Sequence, residues 1–480
     1  MTAPVFQREG CRLGGVTATT IAAVARTDAN GTRLFMDVYS DPERTRLVTS
    51  SAAATLNVGN NYQATVYVTG LTANKKYWYR MRADDGAGGS TSGTIAGYTS
   101  GNFSTAPAVA AKRRLAFMSC NPINPSAGQY STTITPVMWQ RAADLGIQHG
   151  FNLGDIYYSD IGTNNATADY TTGAWRKPAA DVDATVAAYR TNFITTYSEI
   201  ERQGRYNWLA HFSANTPIGY MWDDHDRGWD DMSGSATWSA SQITRAANGK
   251  QAGHEMFMDL NAIHITNDSR TWTHGTTDEA YYHVDYPGVR IVVLDCRTFR
   301  SLSSATDNSS KSMLGATQLA WLQDKILNNP EEGLIIASPV QFDGYHGWNE
   351  NTTDGWVGFT RERDVLIDYI MANGNPTKTL FVSGDTHAGC VAKYYGSNPA
   401  NTPIYEIAAG NLWPTSAHGF INGWKGGAPY VGGEVYGGEQ LVMRVNEPNM
   451  CIVDLSSNGS FKASLYELAT GKTVWCKEYI

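Results

Sequence analysis

The chain has few charged residues, few cysteines and no long apolar run, and each shortage excludes a class of protein. Charged side chains make up 17% of the 480 residues and the formal net charge is −8. The basic surplus that is typical of nucleic-acid-binding proteins is therefore missing. No window reaches the roughly 18 apolar residues of a membrane-spanning helix. We therefore expect neither specific nucleic-acid binding nor a membrane span.

The six cysteines are too sparse for a disulfide-stabilised scaffold, and none lies in a CxxC motif. A zinc knuckle and a thioredoxin-type site are therefore excluded. An even count permits disulfides, although a chain of this length can build a core without them. The start at Met1 has no basic and apolar stretch, so it does not resemble a signal peptide. The chain is expected to be cytoplasmic, or secreted or periplasmic if a leader has been removed.

Glycine and aromatic residues, in contrast, are abundant, with 47 Gly, 26 Tyr, 14 Trp and 14 Phe. Residues 1–110 contain short β-rich segments separated by turn clusters, so they predict a small all-β sandwich domain. Leu71 and Tyr77 have the spacing of a fibronectin type III domain, in which the tyrosine closes a corner between strands. From residue 111 apolar strands alternate with helical segments, so residues 111–480 predict a second, α/β domain.

Side chains that commonly bind metals follow the apolar strands of this second region. Cys120 and Asp155 follow two of the strands, and the strands that end near residues 222 and 383 lead into further acidic residues and histidine. In layered α/β folds such strand ends meet at one edge of a sheet, so these residues are expected to converge. The candidate set at the strand ends is Cys120, Asp155, Asp223, Asp224, His225, Asp226, Asp385 and His387.

The chemistry of this set suits a pair of metal ions. A carboxylate can bridge two cations, a thiolate favours iron or zinc, and carboxylates alone favour calcium, magnesium or manganese. Two ions support in-line displacement at phosphorus, because one lowers the pKa of a bound water and both neutralise charge on the phosphoryl oxygens. The candidate residues therefore suit a two-metal site that supports displacement at phosphorus.

The order of the motifs resembles a known family. Gly154, Asp155 and Tyr158 match the GDxxY signature of purple acid phosphatases and of PhoD-type alkaline phosphatases. Five further segments follow the PhoD pattern in order: SCN at 119–121, WDDHD at 222–226, LDCR at 294–297, WVGF at 356–359 and SGDTH at 383–387. The resemblance implies a four-layer α/β metallophosphatase sandwich behind a fibronectin-like domain. It also implies alkaline phosphatase or phosphodiesterase activity through a metal-activated water.

The resemblance further implies two metal ions that share one carboxylate. Fe³⁺ and Ca²⁺ are expected, with Zn²⁺, Mn²⁺ or Mg²⁺ as alternatives. The expected ligands of the iron are Cys120, Asp155, Tyr158 and His387. The expected ligands of the calcium are the shared Asp155 with Asp224 and Asp385. Asp223 and Asp226 are expected to orient these ligands from outside the metal site.

Other residues of the motifs are expected to act on the substrate. His225 would donate a proton to the leaving oxygen or a hydrogen bond to phosphate. Arg297 would contact phosphate, because a guanidinium matches two phosphoryl oxygens. A salt bridge from Arg297 to Asp295 or a neighbour is an equal alternative. Asn121 and Trp356 are expected to line the substrate pocket.

Alternative functions stay open at this point. One is a non-catalytic, metal-stabilised adhesion or binding protein, and another is a phospholipase-D-like or teichoic-acid phosphodiesterase. A set of ligands for two ions favours an enzyme, because a structural metal site does not need open coordination positions. The expected partner is therefore a phosphoester small molecule or a phosphodiester, while the sequence indicates no oligomeric state.

Overall fold

The computed structural model describes residues 3–92, 99–120, 141–156, 208–227, 247–248, 250–255, 257, 279–342, 354–385, 388–398, 400–410, 412, 439–445 and 448–480. The described part of the N-terminal region consists of strands, with one 3-10 turn at Val58–Asn60. The strands are β1 (Phe6–Gly14), β2 (Ile21–Thr27), β3 (Arg33–Tyr39), β4 (Leu47–Ser50), β5 (Ala54–Thr55), β6 (Gln63–Val68), β7 (Lys76–Asp84), β8 (Ser90–Ser92) and β9 (Ser100–Ser104).

These strands form two antiparallel sheets with a common apolar core. One sheet has the order β1-β2-β6, and in the other β3 and β7 pair with each other and with the shorter strands. Buried and partly exposed residues alternate along β7, as expected for a strand with one face on a core. Tyr77 is buried there, and its phenol oxygen accepts a hydrogen bond from the N–H of Thr72 at 2.9 Å. The predicted corner tyrosine is therefore confirmed.

The second region combines strands with helices. Its strands are β10 (Arg113–Met118), β11 (His149–Asn152), β12 (Ile218–Tyr220), β13 (Tyr282–Tyr286), β14 (Val289–Val293), β15 (Gly333–Ser338), β16 (Thr379–Ser383), β17 (Gly389–Tyr394), β18 (Ile404–Ala408), β19 (Glu439–Val445), β20 (Asn449–Leu455), β21 (Phe461–Glu467) and β22 (Lys472–Tyr479). Its helices are α1 (Trp208–Asn215), α2 (Asp224–Arg227), α3 (Gly315–Leu327) and α4 (Thr360–Asn373), with 3-10 turns at Trp356–Phe359 and Pro376–Lys378.

Two sheets carry this region. The first has the order β12-β11-β10-β20-β21-β22 and the second has the order β13-β14-β15-β16-β18-β17-β19. Apolar side chains from both sheets form one core between them, and a second core packs α3 and α4 on the outer face of the second sheet. Strands β10, β11 and β12 are parallel, as are β14, β15, β16 and β18. The carboxyl ends of these strands therefore gather at one edge of the sandwich.

The apolar cores of the two regions are built from different parts of the sequence. The core of the β sandwich runs from Phe6 to Phe103, and the buried core between the two large sheets begins at Leu115. These separate cores support a proposed boundary near residue 110. All six cysteines lie within the described residues and are free thiols. Among the described helices, none combines the length and the apolar character that crossing a bilayer requires.

The two regions touch where the β sandwich meets the end of α1. The hydroxyl of Tyr79 donates to the carbonyl oxygen of Ala214 at 2.7 Å, and the ring is fully buried. The last carbonyl groups of a helix have no partner inside the helix. The hydroxyl of Tyr79, in the β sandwich, therefore donates a hydrogen bond to a carbonyl group at the end of α1. This end of α1 lies a few residues before the start of β12.

We expect the Tyr79→Phe variant to lose about 1–3 kcal/mol of the free energy of unfolding, because it leaves the buried Ala214 carbonyl without this donor. Urea denaturation measures the loss. Tyr369→Phe is the matched control, since the Tyr369 hydroxyl also donates to a backbone carbonyl, that of Gln323 at 3.3 Å, but from a half-buried position. If both variants lose the same free energy of unfolding, the contact between the two regions adds no more stability than a half-buried hydrogen bond does.

Candidate metal centre

Three of the predicted metal ligands lie directly beyond strand ends in a left-handed backbone conformation. The φ angles are 51° at Cys120 after β10, 53° at Asp155 after β11 and 67° at Asp385 after β16. A residue other than glycine rarely adopts this conformation, which costs about 1–2 kcal/mol. Such strain concentrates at functional sites, where the surrounding fold imposes it. The three residues are therefore held in place by the sheets.

The carboxylates converge as the strand ends predict. Asp155, Asp223, Asp224 and Asp385 each offer an oxygen atom, and these atoms lie within 4.8 Å of one another. The sulfur of Cys120 lies 3.6 Å from Oδ2 of Asp155. A second group with the same spacing consists of Asp155, Asp224 and His225. Asp155 thus belongs to both groups, which is the position that a shared ligand requires.

Two residues, Asp223 and His225, lie among the possible metal ligands, although the sequence did not predict them as ligands. Asp223 offers an oxygen to the cluster, although the sequence suggested that it orients ligands from outside. A ring nitrogen of His225 lies within 4.8 Å of carboxylate oxygens of Asp155 and Asp224, although the sequence assigned His225 to proton donation or to a hydrogen bond to phosphate. The signal for both was the run of acidic residues and histidine that follows β12.

Burial and mutual repulsion disfavour negative charge on these groups. Burial raises the pKa of Asp155 well above its usual value, and Asp224 adds to the rise while His225 opposes it. Burial also raises the pKa of Asp385, with Asp223 and Asp224 adding to the effect. The thiol of Cys120 has a raised pKa because it is buried and lies near Asp155. A cation in the cluster would reverse this balance and favour the ionised ligands.

The donor set fits a metal ion. Within the described residues, Oδ2 of Asp223 is buried and accepts no hydrogen bond. A buried carboxylate oxygen normally has a partner, so this oxygen is a candidate metal ligand. Four carboxylates suit calcium, magnesium or manganese, and the adjacent thiol suits iron or zinc.

Arg297 lies against the cluster, with its side chain fully buried. Its Nε donates to Asp223, its Nη1 donates to Asp354 at 2.8 Å, and its Nη2 lies 3.6 Å from Asp224. Burial lowers its pKa, but these three carboxylates raise it by more, so the guanidinium stays charged. Arg297 and Asp295 share one hydrogen bond in the described structure, in which Asp295 accepts the backbone N–H of Arg297 at 3.0 Å. Contact between Arg297 and phosphate stays a prediction.

Asp226 connects two strand ends of the first sheet. Its Oδ1 accepts the backbone N–H of Ile156 at 2.9 Å, and its Oδ2 accepts the backbone N–H of Asp223 at 3.0 Å. It therefore fixes the segment after Asp155 against the start of α2. These bonds agree with the orienting role that the sequence predicts for Asp226.

The remaining candidates differ in what the structure shows. Asn121, Tyr158 and His387 lie outside the described residues. Trp356 is fully buried, its ring centroid lies 4.9 Å from that of Phe342, and its Nε1 donates to Ser338 at 3.1 Å. The prediction that Trp356 lines the pocket is wrong, because the ring packs in the core between the second sheet and α4.

Comparisons with known proteins agree with this architecture. A family model described as PhoD-like phosphatase matches residues 115–465. A solved structure of PhoD has 16% sequence identity and a TM-score of 0.71, covering 99% of this chain and 92% of that chain. A purple acid phosphatase from yellow lupin (Lupinus luteus) seeds has 12% identity and a TM-score of 0.61, covering 99% of this chain and 74% of that chain. No curated protein matches in sequence. The predicted order of an N-terminal all-β region followed by a metallophosphatase-type fold is confirmed.

Proposed function

The chain belongs to the PhoD-like phosphatase family, and from that premise we propose that it is a metal-dependent hydrolase of phosphomonoesters, phosphodiesters or both. The observation that supports this proposal is the cluster of Asp155, Asp223, Asp224 and Asp385, whose carboxylate oxygens lie within 4.8 Å of one another. Three buried acidic groups and one half-buried acidic group so close together destabilise a fold unless a cation binds them. The cluster is therefore better explained as a binding site than as a structural feature.

We assign the residues that would hold the ions as the sequence predicts. Asp155 would serve both positions, with Fe³⁺ at the thiol side and Ca²⁺ at the carboxylate side. The thiol side would comprise Cys120, Tyr158 and His387, and the carboxylate side would comprise Asp224 and Asp385. When bound, such ions lower the pKa of water and neutralise charge on phosphoryl oxygens.

The other residues would act on the substrate and on the ligands. His225 lies beside Asp155 and Asp224, and it would give a proton to the leaving oxygen of the ester. Asn121 and Arg297 would contact phosphate. Arg297 also balances the charge of the carboxylates, because its guanidinium stays protonated.

Hydrolysis of p-nitrophenyl phosphate and bis(p-nitrophenyl) phosphate, each with and without a chelator, tests the proposal. We expect turnover of at least one ester, its loss after chelation and its return when metal is added back. Turnover that survives complete chelation would contradict the metal dependence. Metal binding without turnover of either ester would favour a binding protein. The ratio of the two rates measures the preference between monoester and diester.

A further inference from the structure

The hydroxyl of Ser119 contacts three different segments at the edge where the metal ligands gather. Ser119 directly follows β10, is buried, and precedes Cys120. Its Oγ donates to the carbonyl oxygen of Gly410 at 3.0 Å and accepts the backbone N–H of Asp385 at 3.3 Å. The sulfur of Cys120 lies 3.2 Å from the same oxygen. One hydroxyl thus links β10 of the first sheet to the ends of β16 and β18 of the second.

The backbone around this hydroxyl is packed too closely for side chains. A Cβ on Gly384 would lie 2.8 Å from Oγ of Ser119, and a Cβ on Gly410 would lie 2.2 Å from it. Gly410 also has a φ of 127°, which residues with a side chain rarely adopt. Glycine at these two positions lets the second sheet approach Ser119, so the hydrogen bonds can form.

We propose that Ser119 is a positioning residue that fixes Cys120 and Asp385, from different sheets, in the separation that metal binding needs. The inference rests on the proposed function, since it assumes that both residues are metal ligands. Residues that hold ligands in place typically change metal affinity by about 10–100-fold when they are removed. Ser119 acts directly on the backbone of one ligand and is the chain neighbour of the other.

The second sheet contains a matched control for this role. Ser338 ends β15, is fully buried, donates to the carbonyl oxygen of Val340 at 2.5 Å and accepts Nε1 of Trp356 at 3.1 Å. Its Oγ also lies 3.5 Å from a cysteine sulfur, that of Cys296. Ser338 therefore makes the same kinds of contact as Ser119, but none of its partners is a predicted metal ligand.

The test compares Ser119→Ala with Ser338→Ala by titrating the metal-free protein with Co²⁺ and by thermal unfolding. Both variants should lose similar stability without metal, since each loses one buried hydroxyl. We expect Ser119→Ala to bind Co²⁺ about 10–100-fold more weakly than the wild type. We also expect a weaker thiolate-to-cobalt charge-transfer band in this variant. Ser338→Ala should keep both the affinity and the band.

Each other outcome overturns a specific part of the argument. If Ser119→Ala binds Co²⁺ like the wild type, or if both variants lose affinity equally, Ser119 has no positioning role. If the wild type binds Co²⁺ but shows no thiolate band, Cys120 is not a ligand and the inference fails while the metal site stands. If the wild type binds no Co²⁺ and hydrolyses no phosphoester, the proposed function itself fails.

Discussion

The Asp155→Asn variant is expected to lose at least about 100-fold in turnover and to lose bound metal at both positions. Removal of a residue that merely orients a ligand costs up to about 100-fold, so loss of a shared ligand should cost at least as much. Asparagine tolerates the left-handed backbone of Asp155, so the change removes a charge without new strain. Elemental analysis and phosphoester hydrolysis of the same preparation measure both losses.

The same variant should have the opposite effect on the metal-free protein. Burial raises the pKa of Asp155 well above its usual value, and Asp224 and Asp223 add to the rise, so this carboxyl group lowers the stability of the metal-free fold at neutral pH. Asparagine has no ionisable group and avoids this cost. Metal-free Asp155→Asn should therefore unfold at a higher temperature than metal-free wild type. Asp37→Asn is the control, because Asp37 is a buried carboxylate of the β sandwich that pairs with Arg82 at 3.0 Å. It should lose stability and keep metal and turnover, and near-normal turnover of Asp155→Asn would contradict the shared-ligand role.

The His225→Ala variant is expected to lose more turnover on an ester with a poor leaving group than on an ester with a good one. Proton donation by a positioned acid contributes about 10²–10⁴-fold, so an alkyl phosphoester should lose that much. A p-nitrophenyl ester should lose far less, because its leaving group departs without a proton. Steady-state rates on the two esters measure the difference.

Metal content of the His225→Ala variant separates the alternatives that the geometry leaves open. A ring nitrogen of His225 lies within 4.8 Å of carboxylate oxygens of Asp155 and Asp224, so the three residues could bind one ion. Unchanged metal content with unequal losses on the two esters would support proton donation. Equal losses would mean that His225 only positions phosphate. Loss of metal together with activity would identify His225 as a ligand and contradict the assigned role.

The sequence predicts the strand ends of the site because their signal is local. A short apolar run followed by Gly-Asp, as before Asp155 and Asp385, indicates both the strand and the polar residue beyond its end. Parallel pairing then brings these ends together, which the described strands confirm. The corner role of Tyr77 was equally local, because its partner Thr72 lies five residues away.

Contacts between distant segments could not be predicted in the same way. Arg297 pairs with Asp223 and Asp354, which lie 74 and 57 residues away, and no motif marks Asp354 as a partner. Which of two adjacent aspartates, Asp223 or Asp224, faces the cluster depends on the turn into α2, and in the structure both do. Trp356 was misplaced because an aromatic residue in a motif looks the same in a core as in a pocket.

The metal content of the purified wild-type protein tests the central claim most directly. We expect about one iron and about one or two calcium ions per chain, because a thiolate favours iron and carboxylates favour calcium. Zinc alone would contradict the assignment of the ions. A preparation that hydrolyses phosphoesters at full rate and contains no metal would contradict the claim that the Asp155 cluster is the metal centre of a phosphoesterase.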